Sequence, residues 1–307
     1  MQNYGKIFKK IRESKCLTQS YVAGEDLSRS LYAKIEKGDV TPSFLKFNCI
    51  LKKLNLTYDE FFFYNSGGLK GRNLILELFK NVMYFSDITF VKKVEDLCKT
   101  YLLEHDDDTV ENIVLICQSI VFLRNGEVDK AQALVNPIWE QLSKQDSLYY
   151  LEMQLLNHIL FIFDIDTARA MVDRCLKALE TCDFQEGVVK LRVSLLVNYS
   201  HLLISKGLMI EAFSKLKEAK LICEKEKRVD LMIYIYYYVS IIFYKSGNKK
   251  YYYFYIRQAV TLVEYTADEA TVELMLNTLS NYISEEDIIK TREMKFEINQ
   301  ELAFFNF

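Results

Sequence analysis

The chain has 307 residues, of which 50% are apolar and 26% charged, with a formal net charge of −3 at pH 7. This length suits a small domain joined to a larger one, and the composition is that of a globular protein. No apolar run approaches the roughly 18 residues of a membrane span, and the basic N-terminus is unlike a signal peptide. We therefore expect a cytoplasmic protein with no membrane association.

The cysteine and histidine content argues against a metal site. There are seven cysteines and only three histidines, and no two cysteines form a Cys-x-x-Cys pair. Neither a zinc site nor a disulfide framework is expected, and most of these thiols should be small buried apolar groups. An alternative role is open for Cys49, which would sense redox state near a dimer contact. No P-loop, Gly-x-Gly-x-x-Gly or His-Glu-x-x-His motif occurs, so we expect no cofactor and no enzyme activity.

The first elements along the chain are three short helices. Tyr4 to Lys15 is a basic helix with one apolar stripe. Thr18 is a suitable N-cap for a second helix, and Gly24 to Asp26 forms a turn. Ser28 caps a third helix over Arg29 to Lys37. Two helices joined by a short turn are the arrangement that presents a recognition helix to the major groove of DNA.

The start of the third helix carries residues suited to reading DNA. Arg29 and Ser30 are at its N-terminus and Lys34 lies one turn later on the same face. An arginine bonds a guanine through two hydrogen bonds, which is worth about 1–3 kcal/mol of discrimination. Gln19 opens the second helix, where its amide is expected to face a phosphate. The partner predicted for this segment is double-stranded DNA.

The pattern of this segment resembles a known class. It reads Leu17-Thr18-Gln19-x-x-x-Ala23, then Leu27-Ser28-Arg29-Ser30-Leu31-Tyr32-Ala33-Lys34-Ile35-Glu36-Lys37-Gly38, then Pro42-Ser43. Over residues 4–62 it resembles the phage-repressor class of helix-turn-helix proteins (Cro/C1, or XRE). Its end, Leu54-Asn55-Leu56-Thr57-Tyr58-Asp59-Glu60-Phe61, is similar to the Rgg/GadR/MutR group of Gram-positive transcriptional regulators.

The resemblance implies roles for particular residues. In the repressor class an arginine of the first helix pairs with a glutamate near the end of the recognition helix, and Arg12 and Glu36 occupy those positions. The resemblance implies a phosphate contact for Gln19. It also implies DNA contacts for Arg29, Ser30 and Lys34. Two further candidates for DNA contact are Lys37 and Ser43. The stretch from Lys37 to Val40 departs from the class, so the loop residues that touch phosphate stay open, with Ser43 a candidate.

Charge is distributed unevenly along the chain. Residues 1–65 contain eleven Lys/Arg and seven Asp/Glu, a net charge of +4, and the remaining 28 basic and 35 acidic residues give −7. A basic head on an acidic body confines DNA binding to the N-terminal part. Because the positive excess is small, two copies should be needed for useful affinity, and we expect a homodimer.

The rest of the chain shows a helical repeat. Residues 65–72 are rich in glycine and are interpreted as a linker. Turns then recur about every 40 residues, with mostly small or apolar residues at fixed offsets from them. The turns are placed at Ser86-Asp87, Asn125-Gly126, Ile165-Asp166, Lys206-Gly207 and Ser246-Gly247. The buried offsets are placed at Phe79, Ser119, His158, Ser200 and Ser240; at Val91, Ala131, Ala170, Ala212 and Tyr252; and at Cys98, Ile138, Lys177, Ala219 and Ala259.

This period predicts an all-α fold. We assign a five-helix helix-turn-helix domain to residues 1–64, a linker to 65–72 and tetratricopeptide-like helix pairs to 73–284. Residues 285–307 are expected to form a capping helix. Such pairs stack into a right-handed superhelix with a concave inner wall; an irregular helical bundle is the alternative. The chain ends in Ala303-Phe304-Phe305-Asn306-Phe307, which should cap the last repeat or pack in a dimer, as the resemblance implies.

The inner wall is the expected ligand site. Asn157 and Asn198 are one repeat apart, so they should lie one above the other on this wall. An asparagine side chain both donates and accepts, so it can hold the main chain of an extended peptide. The apolar and aromatic lining is assigned to His201, Tyr234, Tyr237, Tyr238 and Ile241. The Rgg resemblance implies that the ligand is a short hydrophobic signalling peptide. The alternatives are an asparagine that only bonds a neighbouring helix and tyrosines that only pack between repeats.

The function predicted from these parts is that of a homodimeric, sequence-specific transcriptional regulator that a short hydrophobic peptide switches. Two rivals remain. One is a repeat-type interaction scaffold whose head no longer binds DNA. The other is a DNA-binding regulator that has no peptide ligand.

Overall fold

Every regular element of the described chain is a helix. The computed structural model describes residues 4–66, 70–82, 86–180, 187–266 and 269–305. These ranges contain no strand, which confirms the predicted all-α class. The helices are α1 (Tyr4–Ser14), α2 (Gln19–Ala23), α3 (Arg29–Lys37), α4 (Phe44–Leu54), α5 (Tyr58–Ser66), α6 (Gly71–Phe79), α7 (Ile88–Leu102), α8 (Asp108–Arg124), α9 (Val128–Leu142), α10 (Tyr150–Ile159), α11 (Ile165–Leu179), α12 (Val188–Ser205), α13 (Met209–Lys225), α14 (Val229–Lys245), α15 (Lys249–Thr266), α16 (Glu269–Leu279) and α17 (Glu285–Phe305).

The chain divides into two compact units, Met1–Leu74 and Ile75–Phe307. Each has its own apolar core. The segment interpreted as a linker lies partly outside the described residues, at 67–69. Its described ends are helical, because α5 runs to Ser66 and α6 begins at Gly71.

The caps of the N-terminal helices have the chemistry that the sequence predicts. The hydroxyl of Thr18 accepts a hydrogen bond from the backbone N–H of Tyr21 at 3.1 Å. The hydroxyl of Ser28 accepts one from the backbone N–H of Leu31 at 3.2 Å. Gly38 ends α3 with φ of 84°, a left-handed conformation that glycine adopts without steric cost. The boundaries of α2 and α3 therefore follow from local side chains.

Close packing of α1 against α3 depends on a glycine. Gly5 is buried in α1, and a Cβ at this position would lie 2.0 Å from the carbonyl oxygen of Ile35 and 2.8 Å from that of Glu36. No side chain fits at such distances, so only glycine lets the two backbones approach this closely. Around this crossing, the core of the unit is formed by Phe8, Ile11, Val22, Ala23, Leu27, Tyr32, Ile35, Ile50, Leu51, Leu54 and Phe61.

Three turns of the second unit share one geometry. The glycines at 126, 207 and 247 have φ of 77°, 80° and 76°, and each backbone N–H bonds a carbonyl at the end of the preceding helix. These turns join α8 to α9, α12 to α13 and α14 to α15. The five pairs, in chain order, are α6 with α7, α8 with α9, α10 with α11, α12 with α13, and α14 with α15. In the first, second, fourth and fifth pairs, the positions predicted to be buried at fixed offsets from the turn are buried.

The turn of the third pair is two residues earlier than predicted. Ile165 and Asp166, expected in the turn, are the first residues of α11. This turn has no glycine, and the helix start is instead set by Asp164, whose carboxylate accepts from the backbone N–H of Thr167 at 2.9 Å. A side-chain cap thus replaces the glycine turn that joins α8 to α9, α12 to α13 and α14 to α15.

The shift of two residues moves the buried positions of this pair. Ala170 and Lys177, predicted to be buried, are exposed, because two residues rotate a helix by more than half a turn. His158, the third predicted position of this pair, is half-buried. The fully buried residues, each two positions earlier than predicted, are Leu156, Ala168 and Cys175.

The start of α17 is held to the last repeats by one carboxylate. Asp287 accepts hydrogen bonds from Lys249 at 2.7 Å, Tyr253 at 2.6 Å, Tyr244 at 2.9 Å and Ser284 at 2.8 Å. A helix from 285 onward agrees with the predicted terminal helix. The side chains of the phenylalanines at the chain end lie outside the described residues.

Candidate nucleic-acid interface and ligand cavity

One face of α3 is exposed and polar, and the other is buried. The exposed residues include Arg29, Ser30, Lys34 and Lys37. The buried face consists of Tyr32, Ile35 and Glu36. The residues predicted to read bases therefore share one accessible surface. The hydroxyl of Ser30 lies 3.1 Å from that of Ser28, which links it to the N-cap.

A buried carboxylate holds α3 in place from behind. Glu36 has a side chain only 2% exposed, and Arg12 donates to it through Nε at 2.6 Å and through Nη2 at 3.2 Å. The third guanidinium nitrogen of Arg12, Nη1, donates to the carbonyl of Leu17 at 2.8 Å. Burial on its own would raise the pKa of Glu36, but the hydrogen bonds from Arg12 and Gln19 outweigh it and leave this pKa below its usual value. The ion pair thus joins α1 to α3.

Gln19, for which a phosphate contact is predicted, also makes a contact within the protein. Its amide nitrogen donates to Glu36 at 2.8 Å, which fixes the side chain at the N-terminus of α2. The amide has two N–H groups, so one is used within the protein and the second is available to a phosphate.

Two further predicted DNA contacts border this surface. Lys37 is exposed in the last turn of α3. Ser43 is exposed at the N-cap of α4, and its hydroxyl makes no capping hydrogen bond. A helix N-terminus with free N–H groups attracts anions. Both positions suit contacts to the DNA backbone on either side of a helix that reads bases.

The second unit contains a cavity of about 710 Å³. Its walls come mainly from the first helices of successive pairs, α8, α10, α12 and α14, as predicted for the inner wall. This volume is in the range of sites that enclose a small ligand. The predicted residues that line it are Asn157, Asn198, His201, Tyr234 and Tyr238.

The two asparagines lie together on the cavity wall and bond each other. The side-chain amide nitrogen of Asn198 donates to the side-chain oxygen of Asn157 at 3.0 Å. The backbone carbonyl oxygen of Asn157 lies 3.3 Å from the same nitrogen. The bond between helices weighed as an alternative is therefore present. It leaves the amide nitrogen of Asn157 and the amide oxygen of Asn198 on the same wall, a donor and an acceptor that match a peptide group.

His201 connects the cavity to the segment before α17. Its Nε2 lies 2.8 Å from the hydroxyl of Tyr282, and its ring stacks on Tyr238 with centroids 5.1 Å apart. Burial lowers the pKa of His201 to about 4, so the ring is neutral at pH 7. His158, also on the wall, has its pKa lowered to about 4 by burial and by the charge of Lys190.

Two predicted lining residues belong to the core instead. Tyr237 is 1% exposed and its hydroxyl donates to the carbonyl of Met275 at 3.3 Å. Ile241 is 0% exposed. The four residues 234, 237, 238 and 241 follow the i, i+3, i+4, i+7 spacing of a single helix stripe, but only Tyr234 and Tyr238 line the cavity. Tyr237 and Ile241 are therefore not among the residues that line the cavity in this structure.

Several residues of the cavity had no counterpart in the sequence analysis. Charged side chains are the main group, at positions 77, 80, 190, 206, 228 and 230. They stand near helix ends, where a charged residue reads as solvent-exposed. Tyr150, from the start of α10, was also missed. No sequence pattern distinguishes these residues from ordinary surface residues, because the cavity forms only when distant helices meet.

The cysteines show no pairing. The described thiols are all free; Cys98, Cys117, Cys175 and Cys223 are buried, Cys16 is exposed and Cys49 is half-buried. Cys182 lies outside the described residues. Where the structure describes the chain, no group of three or more His, Cys, Asp or Glu could hold a metal ion. Over the same residues, no helix combines the length and apolarity that crossing a membrane requires.

Solved transcriptional regulators share this architecture. A Listeria monocytogenes protein described as a transcriptional regulator has a TM-score of 0.71 and 22% identity, with 93% of this chain and 99% of that chain covered. PlcR from Bacillus thuringiensis, solved with the peptide PapR7 and DNA, has a TM-score of 0.63 and 15% identity, covering 93% and 100%. The SHP pheromone receptor Rgg2 from Streptococcus dysgalactiae has a TM-score of 0.65 and 18% identity, covering 92% and 100%.

These comparisons define the fold along nearly the whole chain. No family model matches the sequence, and the search of curated proteins also gives no match. The chain has the helical-repeat fold of the Rgg and PlcR regulators, so the resemblance seen in the sequence is confirmed at the level of the fold. The three relatives are regulators or pheromone receptors rather than enzymes.

Proposed function

We propose that this protein is a sequence-specific DNA-binding transcriptional regulator whose repeat unit binds a short hydrophobic peptide, and that the peptide changes its hold on DNA. The observation that carries the proposal is the exposed face of α3 with Arg29, Ser30 and Lys34. Behind this face, the buried pair of Arg12 and Glu36 fixes the helix. A rigid helix with an accessible polar face meets the geometric requirement for reading a major groove.

Each exposed residue has a distinct role in this proposal. Arg29 bonds a guanine edge through two hydrogen bonds, and Ser30 and Lys34 contact neighbouring bases. Lys37 and Ser43, with Gln19, bond phosphates and so set the register of the helix without reading sequence.

The cavity is the site for the peptide. The bonded pair of Asn157 and Asn198 presents a donor and an acceptor to a peptide group, and Tyr234 and Tyr238 provide apolar faces with polar tips. PlcR has been solved with both a peptide and DNA, and Rgg2 is a pheromone receptor. Both relatives support a peptide ligand for this fold.

The assembly in this proposal is a homodimer in the cytoplasm, without enzyme activity. Residues 1–64 read DNA, 65–72 link, 73–284 sense the peptide, and 285–307 cap the repeats and contribute to dimerisation. A net charge of +4 on one head is small, so two heads on two half-sites supply the affinity. The peptide acts by binding one dimer arrangement more tightly than another, which shifts the population between them.

The DNA-reading role is tested by selecting duplexes from a randomised library with the full-length chain. We expect a defined site, and we expect Arg29→Ala to lose about 1–3 kcal/mol of preference at one base pair. Lys10→Ala removes an equal charge from the exposed surface of α1 and is the matched control. Undiminished preference in Arg29→Ala would overturn the reading role. Selection of no defined site would favour the interaction scaffold.

The peptide-binding role is tested with a pool of synthetic apolar peptides and the full-length chain. We expect Asn198→Ala to lower retention of bound peptides by about tenfold, because two hydrogen-bonding partners on the wall are disrupted. Asn136→Ala, on the exposed surface of α9, is the control. Specific DNA binding without retention of any peptide would favour a regulator that has no peptide ligand.

A further inference from the structure

The cavity has the opposite charge to the part of the chain that follows the N-terminal domain. Residues 66–307 have 28 basic and 35 acidic residues, whereas the charged side chains lining the cavity are four cations and two carboxylates. They are Glu77, Lys80, Lys190, Lys206, Arg228 and Asp230. A concave site with an excess of one charge concentrates ligands of the opposite charge. The lining therefore favours a ligand that carries an anionic group.

Both carboxylates of the lining already have close cationic partners. Glu77 lies 2.6 Å from Lys80 in an ion pair. Asp230 accepts two hydrogen bonds from Arg228, from Nε at 2.8 Å and from Nη2 at 2.6 Å. These pairs satisfy four of the six charges, and the excess positive charge is on Lys190 and Lys206.

Lys190 differs from Lys206 in its surroundings. Lys206 is exposed at the end of α12, whereas Lys190 is half-buried in the first turn of that helix. The ammonium of Lys190 donates to the side-chain oxygen of Asn81 at 2.8 Å, and no carboxylate among the described residues bonds it. Burial lowers the pKa of Lys190, and the charge of Arg228 lowers it further. A cation removed from water beside a neutral partner gains strongly from an anion.

The other polar groups near Lys190 leave room for an anion. His158 is on the same wall, and its pKa of about 4 keeps the ring uncharged at pH 7. An uncharged imidazole can donate one hydrogen bond to an oxygen acceptor and does not repel it. Asn81 offers an amide N–H beside the ammonium. Asp230 and Glu77 also act on the charge of Lys190, but each of these carboxylates is already paired with another cation, Arg228 or Lys80.

We propose that the ligand of this cavity carries a carboxylate that pairs with Lys190. The inference rests on the proposed function and narrows its ligand to a peptide that is apolar along most of its length and acidic at one point. The carboxylate accepts a charge-assisted hydrogen bond from the ammonium, while Tyr234 and Tyr238 contact apolar side chains. Its source is either the free C-terminus of the peptide or an aspartate or glutamate side chain.

The test uses synthetic heptapeptides of Leu, Ile, Val, Phe and Gly, retained by the full-length protein and identified by mass spectrometry. Four matched pools differ in one feature at a time: a free or amidated C-terminus, and an internal Asp or Asn. We expect one acidic pool to be retained at least about tenfold more than its neutral counterpart. The pool that shows the preference identifies the source of the carboxylate.

Protein variants then assign the preference to Lys190. We expect Lys190→Met to remove the preference for acidic peptides while neutral peptides are still retained. Lys217→Met, which removes a charge from the exposed face of α13, should keep it. Lys190→Arg should restore it, which guards against a folding defect in the methionine variant.

The outcomes separate this inference from the proposed function. Retention of peptides without acidic preference, or a preference that persists in Lys190→Met, would overturn the inference and leave the peptide-binding function standing. Retention of no peptide from any pool would overturn both. A loss of preference confined to the Lys190→Met protein would support both.

Discussion

Glu36 shows how one buried residue can organise the surface that we propose reads DNA. Its carboxylate receives hydrogen bonds from Arg12 on α1 and Gln19 on α2 while belonging to α3 itself. Three helices therefore meet at one charge whose side chain is 2% exposed. A buried charge is tolerated only when its partners are all present, so the geometry of the recognition helix depends on this network.

We predict that Arg12→Met destabilises the N-terminal unit by on the order of 3 kcal/mol, because the carboxylate of Glu36 would remain buried without a cation. Urea unfolding of the full-length chain, with hydrogen exchange read over α1 to α3, measures the loss. Lys9→Met is the control, since Lys9 pairs with Glu13 at 3.9 Å in an exposed position. Its effect should stay within about 0.5 kcal/mol. Equal effects of the two substitutions would contradict the role of the buried pair.

The two histidines of the cavity give a second prediction at this scale. His158 and His201 have pKa values lowered to about 4 from an ordinary 6.5. Between these pH values the unfolded chain binds protons that the folded chain does not, so the free energy of unfolding falls as pH drops from about 6.5 to about 4. The thermal unfolding midpoint of the repeat unit should decrease over this window.

The matched variants identify the source of that pH dependence. His158→Phe combined with His201→Phe should flatten the decrease. His105→Gln, at the exposed third histidine, should leave it unchanged. A slope that is the same in the double variant and the parent protein would show that other groups cause it.

At the scale of elements, the repeats depend on their turns. Three turns have a glycine with φ near 80°, and the sequence pattern located these correctly. The third pair uses the carboxylate of Asp164 as a cap, and there the predicted register was wrong by two residues. Glycine is a distinctive marker of a helix end, whereas an aspartate fits many exposed positions. The error arose because both Asp164 and Asp166 fit a helix start, and only packing chose between them.

The anchor of α17 leads to a prediction for Asp287, which is buried and accepts four hydrogen bonds. Burial would raise the pKa of Asp287, but the bonds from Lys249, Tyr253, Ser284 and Tyr244 hold it far below its usual value. Asp287→Asn should loosen the start of α17, because a neutral amide with two N–H donors of its own would replace a carboxylate that accepts from four donors.

Hydrogen exchange in the full-length protein measures this change. Protection should fall in α15 and in the first turns of α17. Glu286→Gln removes the adjacent carboxylate, which forms an exposed pair with Lys290, and should change little. Unchanged protection in the Asp287 variant would show that apolar packing alone holds the helix.

At the scale of the whole molecule, the division of charge sets the dependence of DNA binding on salt. If each head of a dimer neutralises phosphates with about three cations, the logarithm of the affinity should fall with that of salt concentration at a slope near about −5. Lys37→Ala, in both heads, should reduce the slope by about 2 without changing base preference. Titrations of the selected duplex at several salt concentrations provide the measurement. A changed base preference would mean that Lys37 reads sequence.

The sequence alone determined the local elements of this protein. N-caps, glycine turns and apolar spacing are properties of a few neighbouring residues, so the recognition helix and most repeat boundaries could be predicted from them. The pairing of Arg12 with Glu36 was accessible only through resemblance to a known class, because 24 residues separate the two.

Tertiary structure decided which residues share a surface. Only the packed fold shows that Tyr237 bonds α16, that Ile241 is buried in the core, and that Lys190 lines a cavity with Asn157 and Asn198. The physical reason is that burial and electrostatic environment arise from helices distant in sequence. A charged residue at a helix start has the same local pattern in solvent and in a cavity, and its neighbours across the fold determine which it becomes.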